Sequence, residues 1–222
     1  MQNAITDYYQ ELAPNYDENR FNNTYGLFID KQERSFLESL HLDSNKTVDL
    51  GCGTGRFLNF AEYGIDISSN MIAQSKQKYP EKNIQLGSLS QVPFENQFFK
   101  NAFCFHVIMH LDKKETASFL NEAHRILEKN GKLIFDFPSE KRRKLTAHKS
   151  ENWHAANELS TNEIVALAKD NWNLKKQRGI LFFPIHRIPK KLRKLFIPID
   201  NLLCRSFLKH YASYIILVLE KK

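Results

Sequence analysis

Three glycines at alternate positions directly after an apolar run, Val48-Asp49-Leu50-Gly51-Cys52-Gly53-Thr54-Gly55, restrict this chain more than any other feature. Val48 and Leu50 carry the apolar bulk of a buried strand, which is expected to end at Leu50. A plain strand-to-helix turn needs one glycine. Three in this register imply backbone that visits positive φ and lies open to a ligand, where any Cβ would intrude. N–H groups exposed at a helix start favour a carboxylate or another anion. The dinucleotide fingerprint G-x-G-x-x-G would need glycine or alanine at position 56; Arg56 stands there, so that form fails.

The remainder supplies a sheet for the loop to sit on. From Lys46 onward strand-like runs alternate with amphipathic stretches, the pattern of βαβ units and a parallel sheet. Strands are expected at 46–50, 63–67, 83–87, 102–106 and 132–137, with helices at 56–62, 70–79 and 113–129. Asp112 with Glu115, and Ser160 with Glu163, read as capping boxes before helices at 113–129 and 163–172. Two further strands, 177–184 and 211–220, bring the total to seven. The first forty residues read as two helical pieces, 7–19 and 27–40, joined by Asn22-Asn23-Thr24. The expected fold is α/β, one domain built on a doubly wound, mostly parallel seven-stranded sheet. Its parts are a helical cap over 1–42, a core over 43–140, and a C-terminal half over 141–222 with a basic insertion at 185–210.

A second candidate site follows the second strand, Tyr63-Gly64-Ile65-Asp66-Ile67. An aspartate at a strand tip can accept two hydrogen bonds from a ribose diol. Asp66 arrives sooner after the glycines than the roughly 20 residues of the general pattern, so the intervening helix must be brief. Ser68 and Ser69 are better placed than Asp66 to cap the helix that follows.

Charge is divided unevenly. Residues 1–140 hold 14 Lys/Arg against 19 Asp/Glu, while residues 141–222 hold 18 against 6, so the net charge of +7 arises in the last third. An excess of that size raises the expectation of an anionic partner there. Lys190, Lys191, Arg193, Lys194, Arg205 and Lys209 interleave with Leu192, Leu195, Phe196, Leu202, Leu203 and Phe207. Pro189 and Pro198 are expected to break this stretch into short pieces suited to a lid. Three cysteines without a CxxC pair, and no clustered histidines, give no disulfide framework or zinc site and fit a reducing, cytoplasmic setting. The N-terminus lacks the pattern of a signal peptide, and no apolar run approaches the roughly 18 residues of a membrane span.

Asp49 with its alternating glycines, Asp66, Leu86-Gly87-Ser88-Leu89, and Arg125-Ile126-Leu127-Glu128-Lys129-Asn130-Gly131 together resemble the class I S-adenosylmethionine-dependent methyltransferases. The resemblance covers residues 8–137 and is nearest to small-molecule members such as those of ubiquinone and menaquinone biosynthesis. It implies that Gly51, Cys52, Gly53 and Gly55 cradle the methionine end of S-adenosylmethionine, with Asp49 close to its amino group. It further implies that Asp66 holds the ribose, that Ile67 and Leu89 flank the adenine, and that Ser88 bonds its exocyclic amine. Tyr8-Tyr9, Tyr16-Asp17 and Arg20 resemble the family's N-terminal "Y-D" helix, in which a tyrosine or arginine caps the cofactor carboxylate. Phe105 and His106 should emerge at the strand edge near the reactive methyl. There His106 is either a general base, with an ordinary pKa near 6.5, or pocket lining; His110 is expected to make a helix-end hydrogen bond. Phe99-Lys100 departs from the Phe-Asp common in the family. No metal is implied.

The function so implied is methyl transfer to a small molecule of anionic or lipid-like character, at oxygen, nitrogen or carbon, with peripheral membrane contact and no DNA. The alternative is RNA or protein methylation through the basic segment, although there is no N-P-P-Y-like motif and no proline beside Cys104. A third is a non-catalytic, S-adenosylmethionine-binding interaction protein.

Overall fold

The computed structural model describes residues 2–146, 157 and 159–222. Seven strands, β1 (Thr47–Leu50), β2 (Tyr63–Asp66), β3 (Asn83–Leu86), β4 (Phe99–Cys104), β5 (Leu127–Pro138), β6 (Trp172–Ile180) and β7 (Tyr214–Lys221), form one sheet in the order β3-β2-β1-β4-β5-β7-β6. Strands β1 to β5 pair in parallel, and β7 runs antiparallel to both β5 and β6. The chain winds one way from β1 to β3 and the other way from β4, so the carboxyl ends of β1 and β4 flank the crevice where such sheets bind ligands.

Eight helices accompany the sheet: α1 (Gln2–Leu12), α2 (Tyr16–Phe21), α3 (Thr24–Glu38), α4 (Ser69–Lys78), α5 (Lys113–Ile126), α6 (Glu140–Leu145), α7 (Thr161–Ala168) and α8 (Lys190–Arg205). Successive strand residues face opposite sides. Cys104 and Phe135 thus join Phe119, Leu120 and Ala123 of α5 and Ile164 of α7. Phe103 and Ile134 join Phe36 and Leu37 of α3 on the other face. Both capping boxes form: Asp112 Oδ1 accepts from Glu115 N at 2.7 Å and Glu115 Oε2 from Asp112 N at 2.9 Å. Glu163 Oε2 accepts from Ser160 N at 2.8 Å and Ser160 Oγ from Glu163 N at 3.2 Å. Ser68 Oγ caps α4 by accepting from Met71 N. None of the described helices is long and apolar enough to cross a membrane.

Several boundaries depart from expectation. Residues 56–62 form no helix; they are a run of tight turns, with Leu58 N bonded to Gly55 O and Phe60 N to Phe57 O. Seven residues must bury Phe57, Leu58 and Ala61 and still reach β2, which leaves no length for a regular α-helix. Helix α5 stops at Ile126, because Leu127 pairs with Phe99 and enters the sheet; Asn130 then takes the turn at a φ of 63°. Strand β6 begins at Trp172, which is buried and ends α7 early, and stops before Leu181, whose φ is 58°. At the N-terminus Pro14 opens a 3-10 turn, Ala13–Asn15, between α1 and α2. The two prolines do not divide the basic segment. Helix α8 runs unbroken through Pro198, which is exposed, because buried Asp200 anchors it, accepting from Gln32 Nε2 at 2.8 Å and Phe183 N at 2.7 Å.

Candidate functional site

The glycine loop leaves β1 at the crevice. Gly51, Gly53 and Gly55 adopt φ values of 87°, 52° and 86°. A Cβ on Gly53 would meet no protein atom within 4 Å, so the room it would take is room on the ligand side. A Cβ on Gly51 would come within 2.5 Å of Val107 Cγ2, across the gap to the end of β4. Gly51 N and Cys52 N both donate to Ile65 O at 2.8 Å, tying the loop to β2.

The loop borders a cavity of about 510 Å³, within the roughly 300–1,000 Å³ typical of cofactor sites. Gly51 and Gly53 form its floor, Asp66 and Ile67 one wall, Ser88 and Leu89 a second, and Phe105 and His106 a third, with Tyr16 above. All of these were expected from sequence. Asp49, Cys52 and Gly55 are not on the surface of the cavity. Asp49 is only 3% exposed, beneath the loop, and burial pushes its carboxyl well above the usual carboxylate range against the opposing pull of Arg56. Cys52 is buried, and burial first, then Asp49, push its thiol up; its sulfur lies where a side chain on Gly64 would need to go. Gly55 is a packing glycine, since a Cβ there would press on Leu58 and Tyr79 at 3.1 Å. Arg20 is exposed and outside the cavity.

Asp66 is held by backbone donors on both oxygens: Oδ2 accepts from Gly53 N at 2.8 Å and Oδ1 from Ser68 N at 2.9 Å. Burial raises its pKa, and those N–H groups oppose the rise. Each oxygen retains a second acceptor direction, so the carboxylate can accept from a diol while bracing the glycine loop.

The N-terminal helices close the cavity from above. Thr54 Oγ1 donates to Asp17 Oδ1 at 2.5 Å, and Lys78 of α4 pairs with the other Asp17 oxygen. Gln10 Oε1 accepts from Asn70 N at 3.2 Å. Tyr9 and His110 both line the cavity and hydrogen-bond to each other, hydroxyl to Nε2, at 2.9 Å. Burial raises the Tyr9 pKa. His110 therefore bonds a side chain 101 positions away rather than a helix end. The paired tyrosines at 8 and 9 were the only sequence signal for it.

His106 sits at the end of β4 with a φ of 60°, and its ring has partners on both nitrogens. Nε2 lies 2.7 Å from Glu33 Oε1 and Nδ1 lies 3.4 Å from Asp136 Oδ2. Its backbone N donates to Asp136 Oδ1 at 2.6 Å. Glu33 is fully buried on α3 and also meets Arg56 Nη1 at 2.8 Å. The ring-to-carboxylate contacts are poorly aligned as hydrogen bonds, so charge holds them. Burial alone would lower the His106 pKa; Glu33 and Asp136 outweigh it and raise the value above 6.5. An imidazolium clamped between two carboxylates has no free nitrogen for a substrate proton, which corrects the general-base expectation. Glu33, His106 and Asp136 offer ligand atoms within 4.8 Å of one another, but the Arg56 guanidinium already balances Glu33.

A second cavity, of about 550 Å³, lies on the far side of His106. Tyr214 connects the two: its ring packs edge-on to His106 at 5.2 Å, and it lines the second cavity with Tyr25, to which it is hydrogen-bonded. Arg142, Arg143, His186 and Arg187 supply the cationic part of the lining, and Leu181, Pro138 and Met109 the apolar part. Arg143 also donates to Asn157 O. None of these residues was singled out from sequence, because they come from four separated segments.

Comparison with known proteins agrees with this arrangement. The methyltransferase-domain family matches residues 48–135. An uncharacterised protein of Methanocaldococcus jannaschii is 27% identical over 98% of this chain and 91% of its own length. The demethylmenaquinone methyltransferase of Chlamydia caviae is 29% identical over 57% of this chain and 58% of its own, so the shared segment is under two thirds of that enzyme. Among solved structures, magnesium protoporphyrin IX methyltransferase from Synechocystis, with S-adenosylhomocysteine bound, superposes at a TM-score of 0.70, with 14% identity and full coverage of both chains.

Proposed function

Because the chain belongs to the class I S-adenosylmethionine-dependent methyltransferases, we propose that it methylates a small anionic molecule held in the cavity beyond His106. The observation behind this is the cavity itself. A space of about 550 Å³ suits a small acceptor, and its arginines match a carboxylate or phosphate in the bidentate manner of a guanidinium. The Tyr25–Tyr214 pair offers flat apolar surface beside that charge.

S-adenosylmethionine supplies a methyl group already activated by its sulfonium. The work left to the protein is alignment and exclusion of water, which together account for most of the acceleration in such reactions. In this reading Gly51 and Gly53 let the cofactor lie against the backbone, and Asp66 accepts from its ribose hydroxyls. Ile67, Ser88 and Leu89 bracket the base, and Tyr16 covers the site. Asp49, beneath the loop, supplies the negative charge for an ammonium group. Tyr9 and His110 close the wall between α1 and the end of β4. His106 acts as a positioning residue: its charge keeps Glu33 and Asp136 in place, which fixes where β4 ends and holds Tyr214 between the cavities.

The test is transfer of a radiolabelled methyl into fractionated cell extract by wild-type protein and by an Arg142→Gln, Arg187→Gln double variant. Label should enter a small acidic fraction. Loss of a charge-assisted bond of about 1.5–3 kcal/mol should raise the acceptor KM by roughly tenfold or more, with affinity for S-adenosylhomocysteine unchanged. Label found in RNA or protein, or a double variant with wild-type KM, would overturn the proposal.

A further inference from the structure

Helix α8 presents to solvent a face that a water-soluble surface would not leave bare. Leu192, Leu195, Ile199 and Leu202 are 46, 66, 48 and 68% exposed. At about 100° per residue these positions share an arc of roughly 80°. Just past the helix, Phe207 is 82% exposed. The rotation of the helix is not free. Asp200 and Cys204 point inward and are fully buried, and Asp200 is bonded to Gln32 and to the backbone of Phe183. The aliphatic row therefore faces outward as a consequence of the same packing that anchors the helix.

Charge decides what can cover that row. Lys191, Lys194 and Arg205 run along one side of it, all exposed, and the only acid on the helix is buried Asp200. A second copy of the chain would bring like charge against like charge. RNA would satisfy the cations and leave the leucines in water. A bilayer surface bearing anionic lipid satisfies both, since it accepts an apolar helix face at the boundary of headgroups and acyl chains and attracts flanking lysines.

We infer that α8 lies flat on anionic lipid membranes, with Leu192, Leu195, Ile199 and Leu202 inserted and Lys191, Lys194 and Arg205 at the headgroups. The unbroken course of the helix through Pro198 makes this possible, for short separate pieces would not align the four side chains. His186 and Arg187, which line the second cavity, immediately precede the helix. Docking would therefore bring the cationic end of the cavity to the membrane surface. The inference rests on α8 alone and not on the identity of the acceptor.

The test is co-sedimentation of the full chain with phosphatidylcholine vesicles, with and without phosphatidylglycerol, over a range of salt. Binding should require the anionic lipid and weaken as salt shortens the reach of charge. A Leu195→Asn, Leu202→Asn variant changes exposed positions only, and retained affinity for S-adenosylhomocysteine will show that it folds. Its partition should fall by roughly tenfold or more for the lost aliphatic burial, and a Lys191→Gln, Lys194→Gln variant should lose the preference for anionic lipid. Absence of binding at low salt, or sedimentation unchanged by the leucine substitutions, would overturn the inference. So would leucine-dependent dimerisation in light scattering, or binding to poly(U) that displaces the vesicles and ignores the leucines.

Discussion

Replacing Glu33 with Gln tests the charged centre on which the placement of His106 depends. Glu33 is fully buried and stands between two cations, 2.8 Å from Arg56 Nη1 and 2.7 Å from His106 Nε2. Removing one member of a buried ion pair costs about 3–5 kcal/mol, because the partner is left without compensation. Arg56 keeps a contact with Asp30 at 3.3 Å and His106 can shed its proton, so the lower end applies, about 3 kcal/mol. For a chain of this size that corresponds to a fall in Tm of about 6–12 °C. The pH dependence has a definite sign. Burial would raise the Glu33 pKa, but His106 and Arg56 lower it below 4.5; its stabilisation is present above 4.5 and lost as pH falls through the folded value. The His106 pKa is raised above 6.5, so its stabilisation is full below 6.5 and lost as pH rises through the folded value. Thermal melts of both proteins from pH 4 to 10 should show the widest gap in the window between those two titrations, narrowing on the alkaline side. A Tm within about 2 °C of wild type, or a gap that does not change with pH, would refute the charged centre.

Gly53→Val places a side chain where the structure leaves room on the ligand side, and Asp66→Ala removes an acceptor worth about 1.5–3 kcal/mol; calorimetry should show both losing affinity for S-adenosylhomocysteine by roughly tenfold or more. Asp49→Asn should act in opposite directions on ligand and fold. The raised carboxyl pKa means that the native state gives up this proton reluctantly, so its contribution to stability declines as pH rises above 3.8. The variant should therefore melt higher at neutral pH yet bind the cofactor more weakly, and it should lose the rise in affinity that wild type shows as Asp49 ionises. Equal melting and equal binding would remove Asp49 from the site. Ser160→Ala breaks the capping box of α7 away from both cavities; a loss of about 1 kcal/mol, or about 2–4 °C in Tm, with cofactor affinity unchanged is the expected result.

Much of the cofactor side was legible in the chain as written, because its constraints are local. Three positive-φ positions in five residues leave glycine almost no substitute, and an acid at the tip of the next strand has one stereochemical use. Gly51, Gly53, Asp66 and Ile67 therefore stand out one by one. The capping boxes at Asp112 and Ser160 were visible for the same reason: donor and acceptor lie three residues apart. What only the tertiary structure decided depends on distance in sequence. Glu33, Arg56, His106 and Asp136 come from α3, the turn after the glycines, β4 and β5, and no local pattern says that two carboxylates will clamp one imidazole. That is why His106 resembled a base in sequence and is a fixed charge in the fold. Pro198 likewise predicts a break by its own chemistry, but Gln32 and the backbone at Phe183 hold Asp200 so firmly that the helix continues through it. A lone propensity is outweighed wherever buried hydrogen bonds from elsewhere in the chain meet one residue, and the local sequence has no record of them.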